Sequence, residues 1–301
     1  MYFDIVLPTH FAVVEEANLM PLLKSTEFVI HDHQYGIVED DMGEYLYMIM
    51  DFVDGLSLRE AMKVHDSIDE SRLLKWLRQL SQALTKIHDQ NIIHRDIKPD
   101  NIMVTASNDM MLIDFGVSLH AGGGVRRYAG TRRYDSPEKA AVRDNPESNS
   151  MYDDRDDMYG LGCTMMEVCL RQCEISFNEA FENGGRWSDE GNSELIESYL
   201  SDDEMQRKFP KIVRLIRMMM NRDKEQRWRA HELVSDLRNM SARSDPLYQA
   251  LRFQEACFDD EMSIHSRRYV KGSRAWLFEV QCRYDECVSH QCAHADLLSS
   301  S

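Results

Sequence analysis

The longest amphipathic pattern in the chain runs from Leu73 to Ile87. Apolar residues recur there at intervals of three and four positions, which places them on one face of a helix and predicts a long helix packed against a core. This stripe consists of Leu73, Leu77, Leu80, Leu84 and Ile87. The same spacing predicts further helices over residues 11–23, 158–170, 193–200, 209–220 and 230–240. The last third of the chain before residue 240 is therefore predicted to be mostly helical.

Extended segments are predicted in the first half of the chain. Residues 35–53 contain two apolar runs of strand length separated by acidic residues and Gly43, which predicts a hairpin with its turn at 39–43. Short strands are predicted at residues 91–93, 101–104 and 111–113. Residues 116–152 show no periodicity and predict a long irregular segment, which is uncommon in a compact domain unless it is functional.

Two short sequences have the form of a capping box, in which a Ser N-cap is followed three positions later by a Glu. Ser57 with Glu60 predicts the start of a short helix, and Ser67 with Glu70 predicts the start of the long one.

Composition narrows the class of protein. The 301 residues include 35 Lys and Arg against 52 Asp and Glu, a formal charge of -17, and 43% hydrophobic residues, enough for a substantial core. So large a negative charge argues against nucleic acid or an anionic membrane surface as a partner, because both attract a Lys/Arg surplus. No apolar run approaches the ~18 residues of a membrane span, and the first residues lack the basic region of a secretory signal. We therefore expect an intracellular protein, cytoplasmic or nuclear, with its oligomeric state left open.

The residues that point to chemistry lie in two segments, HRDIKPDN at 94–101 and DFG at 114–116. A carboxylate can orient a hydroxyl group, an ammonium group near it can neutralise phosphate charge, and oxygen ligands can hold Mg²⁺. Asp96, Lys98, Asn101 and Asp114 supply these groups on short loops between predicted strands.

These two segments resemble the protein kinase family, whose catalytic loop reads H-R-D-x-K-x-x-N and whose metal-binding motif reads D-F-G. Further matches follow in order, and the resemblance covers roughly residues 11–240. GTRRYDSPE at 130–138 is similar to G-T-x-x-Y-x-A-P-E, with Ser136 in place of Ala. DMYGLG at 157–162 is similar to the start of the central helix of the large lobe, and DKEQR at 223–227 is similar to D-P-x-x-R.

The resemblance implies a bilobal, protein-kinase-like α+β fold with a truncated small lobe and a mostly helical large lobe. Residues 1–55 would form the partial small lobe, residues 56–240 the large lobe, and residues 241–301 a C-terminal tail. The implied reaction is transfer of the γ-phosphoryl group of Mg-ATP to a Ser or Thr hydroxyl of a protein substrate.

The resemblance also implies a role for each motif residue. Asp96 would accept the proton of the substrate hydroxyl or orient it, Lys98 would offset charge on the transferred group, and Asn101 and Asp114 would hold Mg²⁺. Lysine at position 98 is typical of Ser/Thr kinases, and a hydrogen bond from Thr131 to Asp96 and Lys98 would fit the same specificity.

The remaining implied roles concern the nucleotide and the scaffold. At the hinge, Met50 would be the gatekeeper and Asp51 to Val53 would face the adenine, while Lys98, Asn101 and Asp114 would lie at the phosphates. His94 and Phe115 would join Met20 in an apolar stack. Asp157 would anchor the catalytic loop by accepting hydrogen bonds from the loop's backbone amides. Arg227 would pair with Glu138.

Two family features do not occur in the sequence, the Gly-rich loop G-x-G-x-x-G and a strand with Val-Ala-x-Lys. The helix that carries the Glu paired with that lysine starts about ten residues from Met1, with Glu16 or Glu15 as the candidate. Three interpretations are open: an N-terminally truncated form of an active enzyme, a pseudokinase that acts as a scaffold or interaction module, and an unusual active enzyme. The intact catalytic residues favour truncation, and we expect such a chain to have little activity of its own.

The segment before Thr131 differs from the family pattern, because a cluster of arginines occupies the usual place of a phosphorylated Ser or Thr. One hypothesis is that Arg126, Arg127, Arg132 and Arg133 attract acidic or phosphorylated substrates. The alternative is an ordinary solvated loop. Tyr128, the only hydroxyl residue between Ser118 and Thr131, is a candidate for phosphorylation.

Overall fold

The computed structural model describes residues 16, 19–40, 43–64, 67–120, 125, 127–147, 151–175, 186–189 and 192–244. The chain divides into two compact units, residues 1–235 and 236–301. The domain boundaries expected near residues 55 and 240 stay predictions. Of the expected tail, only residues 241–244 are described, and they continue a helix; the rest lies outside the described residues.

Within the part of the chain that the structure describes, the strands form three small antiparallel sheets. Seven strands occur there, in the order β1 (Asp32–Asp40), β2 (Gly43–Met50), β3 (Gly55–Ser57), β4 (Ile92–Ile93), β5 (Ile102–Thr105), β6 (Met110–Leu112) and β7 (Leu119–His120). β1 and β2 are the predicted hairpin, with Asp40 opposite Gly43. The second sheet has the order β3-β5-β6, and the third pairs β4 with β7. The three short strands predicted at residues 91–93, 101–104 and 111–113 correspond to β4, β5 and β6, each with bounds that differ by about one residue.

Eight complete helices follow within the described residues. They are α1 (Leu58–Val64), α2 (Glu70–Asp89), α3 (Pro137–Asp144), α4 (Arg155–Gln172), α5 (Ser193–Leu200), α6 (Asp203–Lys208), α7 (Pro210–Met219) and α8 (Ala230–Ser244). Residues 16 and 19–23 are also helical, as predicted, whereas the rest of the predicted 11–23 helix lies outside the described residues. These helices and small sheets confirm the mixed α+β fold.

The prediction of an irregular segment from 116 to 152 is wrong in part, because it contains β7 and α3. Ser136 is the N-cap of α3 and accepts a hydrogen bond from the backbone N of Lys139 at 3.2 Å, while Pro137 occupies the first helical position. Ser followed by Pro is a strong local helix start, and this signal was available in the sequence.

One of the two predicted capping boxes is confirmed and the other is wrong. The backbone N of Ser57 donates to Glu60 Oε2 at 3.0 Å, and the backbone N of Glu60 donates to Ser57 Oγ at 3.2 Å. In α2, however, Asp69 is the N-cap and accepts from the backbone N of Arg72. Glu70 accepts instead from the backbone N of Lys211 at the first turn of α7. The Glu70 carboxylate, which the local pattern assigned to a capping box with Ser67, is therefore engaged in a tertiary contact instead.

The core lies around α4. Every residue of this helix from Asp156 to Leu170 is buried, which is typical of a helix enclosed on all sides. It packs against α7, and the predicted apolar stripe of α2 is also fully buried. Cys163 and Cys169 are buried free thiols, and Cys173 is half-buried at the end of the helix.

The hairpin leaves apolar side chains in contact with solvent. Tyr35, Ile37 and Val38 on β1 are each exposed by about half or more of their surface. No helix in the part of the chain that the structure describes is both long enough and apolar enough to cross a membrane.

Candidate active site

The catalytic-loop segment, residues 94–101, is held in place by α4. The Asp157 carboxylate accepts hydrogen bonds from the backbone N of His94 at 2.9 Å and of Arg95 at 2.7 Å. A Cβ at Gly160 would lie 2.9 Å from the carbonyl O of Ile97, so glycine permits this close approach of loop and helix. Burial alone would raise the pKa of Asp157, but the hydrogen bond from His88 and those from the loop keep it below the usual range. A buried, ionised carboxylate therefore fixes the loop backbone.

Asp96 is the centre of the cluster predicted from the sequence. Lys98 Nζ donates to Asp96 Oδ2 at 2.6 Å and to Thr131 Oγ1 at 2.8 Å. Asn101 Nδ2 donates to the same Asp96 oxygen at 3.0 Å. Burial would raise the pKa of Asp96, but the contacts with Lys98 and Thr131 and the charge of Lys98 outweigh it and lower the pKa. Asp96 is thus a carboxylate at neutral pH.

The second oxygen of Asp96 is in a different situation. Oδ1 is buried and has no hydrogen-bond partner among the residues that the structure describes. A buried acceptor without a donor is costly, and such atoms concentrate at functional sites. Here the orphaned oxygen belongs to a carboxylate whose other oxygen is held by two neighbours, Lys98 and Asn101.

Asp114 lies next to this cluster through the backbone and not through a side-chain hydrogen bond. The backbone N of Ile113 donates to the carbonyl O of Asn101 at 3.0 Å, which sets Asp114 beside the loop. Asp114 has a φ of 65°, in the left-handed region that Asp tolerates better than most residues. Its Oδ1 accepts from the backbone N of Gly116 at 3.2 Å.

The stacked residues behave as packing, as the resemblance implied. His94 Nε2 donates to the carbonyl O of Ile113 at 3.1 Å, and its ring meets Phe115 edge-on with the ring centroids 4.7 Å apart. Burial lowers the pKa of His94, so the imidazole is neutral. Met20 is buried as well.

Glu16 reaches the metal motif from the N-terminal helical segment. Its Oε1 accepts from the backbone N of Phe115 at 3.0 Å. Burial, together with the charges of Asp114 and Asp32, raises the pKa of Glu16 to about 7. Asp32 is itself buried, and its Oδ1 has no hydrogen-bond partner among the described residues. The sequence reasoning missed Asp32, because nothing in the local pattern of β1 distinguishes a buried acid from a solvated one.

A cavity of about 310 Å³ opens at the predicted hinge. It is lined by Ile30, Met48, Met50, Asp51, Phe52, Val53, Met103 and Ile113. Met50 and the run Asp51 to Val53 were predicted from the sequence, whereas Ile30, Met48, Met103 and Ile113 were not. The predominantly apolar lining is typical of a pocket for a small planar ligand. Binding of adenine there stays a prediction.

Among the described residues, no group of three or more His, Cys, Asp or Glu side chains is arranged so that it could hold a metal ion alone. The residues predicted for Mg²⁺ are one carboxylate, Asp114, and one amide, Asn101. This donor set fits Mg²⁺ in kinases and ATPases, where one or two protein ligands are completed by phosphate oxygens and water.

Arg95 of the catalytic loop holds described parts of the segment after the metal motif. The Arg95 guanidinium donates to the carbonyl O of Val117, to the carbonyl O of Arg127 at 3.3 Å and to the hydroxyl of Tyr152 at 3.4 Å. The Tyr128 hydroxyl donates to the carbonyl O of Gly130 at 3.3 Å. The implied pair of Arg227 and Glu138 is present, with Arg227 Nη2 donating to Glu138 Oε2 at 3.0 Å.

Comparison with known proteins identifies the family. The sequence matches the protein kinase domain over residues 8–237, which is most of the chain. The chain belongs to the protein kinase family. The family and fold class expected from the sequence are thereby confirmed.

The alignments with similar kinases cover about half of this chain. The serine/threonine-protein kinase PknB of Mycobacterium tuberculosis is 34% identical over 146 residues, which is 46% of this chain and 22% of PknB. The serine/threonine-protein kinase cds1 of Schizosaccharomyces pombe is 34% identical over 140 residues, 46% of this chain and 29% of cds1. Mitogen-activated protein kinase kinase kinase 3 of Mus musculus is 30% identical over 153 residues, 49% of this chain and 23% of that kinase. The chain therefore spans less than a third of the length of each of these relatives.

Proposed function

We propose that this kinase is a protein serine/threonine kinase that transfers the γ-phosphoryl group of Mg-ATP to a Ser or Thr hydroxyl of a protein substrate. The observation that carries the proposal is the orphaned Oδ1 of Asp96. Lys98 and Asn101 hold the other oxygen of the same carboxylate, so Oδ1 is oriented and lacks only a donor. A substrate hydroxyl is a donor of the right kind.

Each residue of the cluster has a task in this proposal. Asp96 accepts the hydrogen bond of the substrate hydroxyl and orients its oxygen, and its low pKa keeps it ionised for that role. Lys98 stabilises negative charge that develops beside Asp96, and Thr131 holds the ammonium group in place. Asn101 and Asp114 would hold Mg²⁺, and the hinge cavity would take the adenine. Bound Mg-ATP would supply the phosphoryl group and the metal charge that neutralises it.

Preference for Ser and Thr over Tyr is supported by the bond between Lys98 and Thr131. This 2.8 Å hydrogen bond joins the catalytic loop to the segment after the metal motif. Lysine at position 98 is the residue typical of Ser/Thr kinases, and PknB and cds1 are both named as such kinases.

We also propose that this chain has little activity of its own. Its sequence has neither the Gly-rich loop nor the Val-Ala-x-Lys strand, and no lysine or arginine precedes Lys24. Removing one preorganised electrostatic contact costs about 10² to 10³ in rate. Both features act on the phosphates, so their combined absence predicts a rate far below that of a complete kinase.

A second candidate function is a non-catalytic interaction module. The observation in its favour is Glu16, whose pKa of about 7 reflects burial beside two other acids, Asp114 and Asp32. Repulsion among these carboxylates opposes binding of phosphates nearby unless a metal ion or another cation is present.

Nucleotide binding separates the two candidates. If the site binds Mg-ATP, ligand at 100 times its dissociation constant stabilises the protein by about 2.7 kcal/mol, which thermal denaturation detects as a higher Tm. Asp114→Asn should abolish the increase, because it removes the carboxylate proposed for the metal. Asp203→Asn, an exposed acid at the start of α6, is the matched control and should keep it.

Phosphotransfer to a Ser peptide with Mg-ATP measures the reaction itself. We expect slow transfer that falls by a further factor of about 10² or more in Asp96→Asn, with Tyr peptides inert. Absence of both nucleotide stabilisation and transfer would favour the interaction module.

A further inference from the structure

Two carboxylate oxygens border one small space at the metal motif. A Cβ added to Gly116 would lie 3.2 Å from Asp114 Oδ1 and 3.5 Å from Glu16 Oε2. Glycine leaves this space open because it has no side chain. The other Glu16 oxygen, Oε1, accepts a hydrogen bond from the backbone N of Phe115 at 3.0 Å, which fixes the orientation of the carboxylate. The two acids therefore face the same point from different segments of the chain.

The electrostatics of this space favour a cation. The charges that act on Glu16 are those of Asp114 and Asp32, and both are negative. The hydrogen bond that Glu16 accepts comes from a backbone amide and not from a basic side chain. Like charges that are partly removed from water repel one another more strongly than they do in solution. A cation between Glu16 and Asp114 would turn this repulsion into attraction.

Asp32 gives a second indication of a ligand. This residue on β1 is only 7% exposed, and its Oδ1 is buried without a hydrogen-bond partner among the described residues. Because its charge acts on Glu16, the Asp32 carboxylate lies near the same space. A buried acceptor without a donor is costly. Mg²⁺ keeps several of its water molecules when it binds to proteins, so a hydrated ion offers O–H donors together with positive charge.

We propose that Glu16 is a further metal ligand, and that Glu16 and Asp114 bind one divalent cation beside Gly116 before any nucleotide is present. Asp32 would accept a hydrogen bond from water on this ion. Two carboxylates do not complete the coordination of Mg²⁺; water supplies the remaining ligands, and so do phosphate oxygens once a nucleotide binds. The use of the ion rests on the proposed function, since it would be the Mg²⁺ assigned there to Asn101 and Asp114.

Titration with Mn²⁺ alone tests the site without nucleotide and without phosphotransfer. Mn²⁺ prefers the same oxygen ligands as Mg²⁺, and the EPR signal of the free ion disappears when the ion is bound. The full 301-residue protein, in about 0.15 M salt to screen its negative charge, should bind one Mn²⁺. Glu16→Gln and Asp114→Asn should each raise the Kd about tenfold or more, because removal of even a partner of a metal ligand costs about 10- to 100-fold.

Glu27→Gln is the matched control, because it removes the same charge from an exposed residue shortly after the N-terminal helical segment. It should leave the Kd for Mn²⁺ unchanged. The inference is overturned if Glu16→Gln binds Mn²⁺ as tightly as the unsubstituted protein, if Glu27→Gln weakens binding equally, or if the unsubstituted protein binds no Mn²⁺.

Gly116→Ala tests the position of the ion with both carboxylates in place. Gly116 does not have a positive φ, so its backbone accommodates alanine, and the added methyl group would occupy the space between the two oxygens. This variant should also bind Mn²⁺ about tenfold more weakly, and unchanged binding would overturn the inference.

Thermal denaturation without metal distinguishes a ligand from a structural residue. Glu16→Gln keeps an oxygen that can accept from Phe115 and removes one of three like charges, so it should not lower the Tm. A lower Tm together with unchanged Mn²⁺ binding would show that Glu16 only holds the backbone of the metal motif.

Thermal shifts with Mg-ATP on the same samples keep the two proposals apart. Nucleotide stabilisation together with Mn²⁺ binding that does not depend on Glu16 refutes only the role of Glu16. Mn²⁺ binding that depends on Glu16, without any stabilisation by the nucleotide, refutes only the proposed function.

Discussion

Lys139 shows how single residues stabilise the surroundings of the candidate site. Its ammonium group is buried, donates to Asp156 Oδ2 at 2.9 Å and to the carbonyl O of Arg95, and lies 3.5 Å from Asp135 Oδ1. Burial would lower the pKa of Lys139, but the charges of Asp156 and Asp135 raise it. A buried ion is stable only with such partners. Lys139 thus joins α3, α4 and the catalytic loop through one charged group.

Asp135 in this network should make stability depend on pH. Burial and the nearby charge of Asp156 on α4 raise the pKa of Asp135 to about 6. The charges of Lys139 and Arg143 on α3 and a hydrogen bond with Tyr128 oppose this shift. Between about pH 4 and pH 6, Asp135 is therefore protonated in the folded chain and ionised in the unfolded chain. Since the unfolded state binds fewer protons there, stability falls as the pH rises through this window.

Asp135→Asn removes this dependence. Relative to the unsubstituted protein, the variant should gain about 3 kcal/mol in free energy of unfolding between pH 4 and pH 7, from 1.36 kcal/mol per pKa unit. Urea denaturation at several pH values measures the difference. Asp144→Asn is the control: hydrogen bonds from Arg186 and Arg143 lower the pKa of Asp144, so its loss should produce a trend of opposite sign that lies mainly below about pH 5. A difference for Asp135→Asn that is independent of pH would contradict the argument.

Elements whose order arises from local periodicity were predictable, and those fixed by distant contacts were not. The stripe of α2 and the bounds of α5 follow from apolar spacing along one segment. The start of α2 was misplaced because Glu70 binds the first turn of α7, a contact between residues 141 positions apart. No window of local sequence contains that partner.

The misplaced helix start gives a direct test at the scale of the element. Asp69→Ala removes the side chain that accepts from the backbone N of Arg72, so it should lower the free energy of unfolding by about 1 kcal/mol. Ser67→Ala, which the local pattern alone would make equally damaging, should change it by less than about 0.5 kcal/mol, because Ser67 is exposed and does not cap α2. Urea denaturation of both variants decides between the two starts. A larger loss in Ser67→Ala would restore the capping box.

At the scale of the molecule, some residues in and around the candidate site were predictable from local sequence, and others were not. Asp96, Lys98, Asn101 and Asp114 were predictable because their spacing within two short segments is itself the pattern. Arg59 and Glu167 are 108 positions apart and are brought together only when α1 and α4 pack around the catalytic loop. Asp32 was missed for a related reason: its burial depends on what packs over β1.

The buried pair of Arg227 and Glu138 tests how far the folded molecule depends on one long-range ionic contact. The Arg227 side chain is fully buried, also donates to the carbonyl O of Asn221, and lies over the ring of Tyr159 at 5.0 Å. Arg227→Met leaves the Glu138 carboxylate without its partner and should lower the free energy of unfolding by about 3 to 5 kcal/mol. Arg207→Met is the matched control, because Arg207 is 69% exposed in its pair with Glu204 and should contribute no more than about 1 kcal/mol. Urea denaturation gives both values. Equal losses in the two variants would show that burial adds nothing to the pair, and that the end of the segment after the metal motif is held by packing alone.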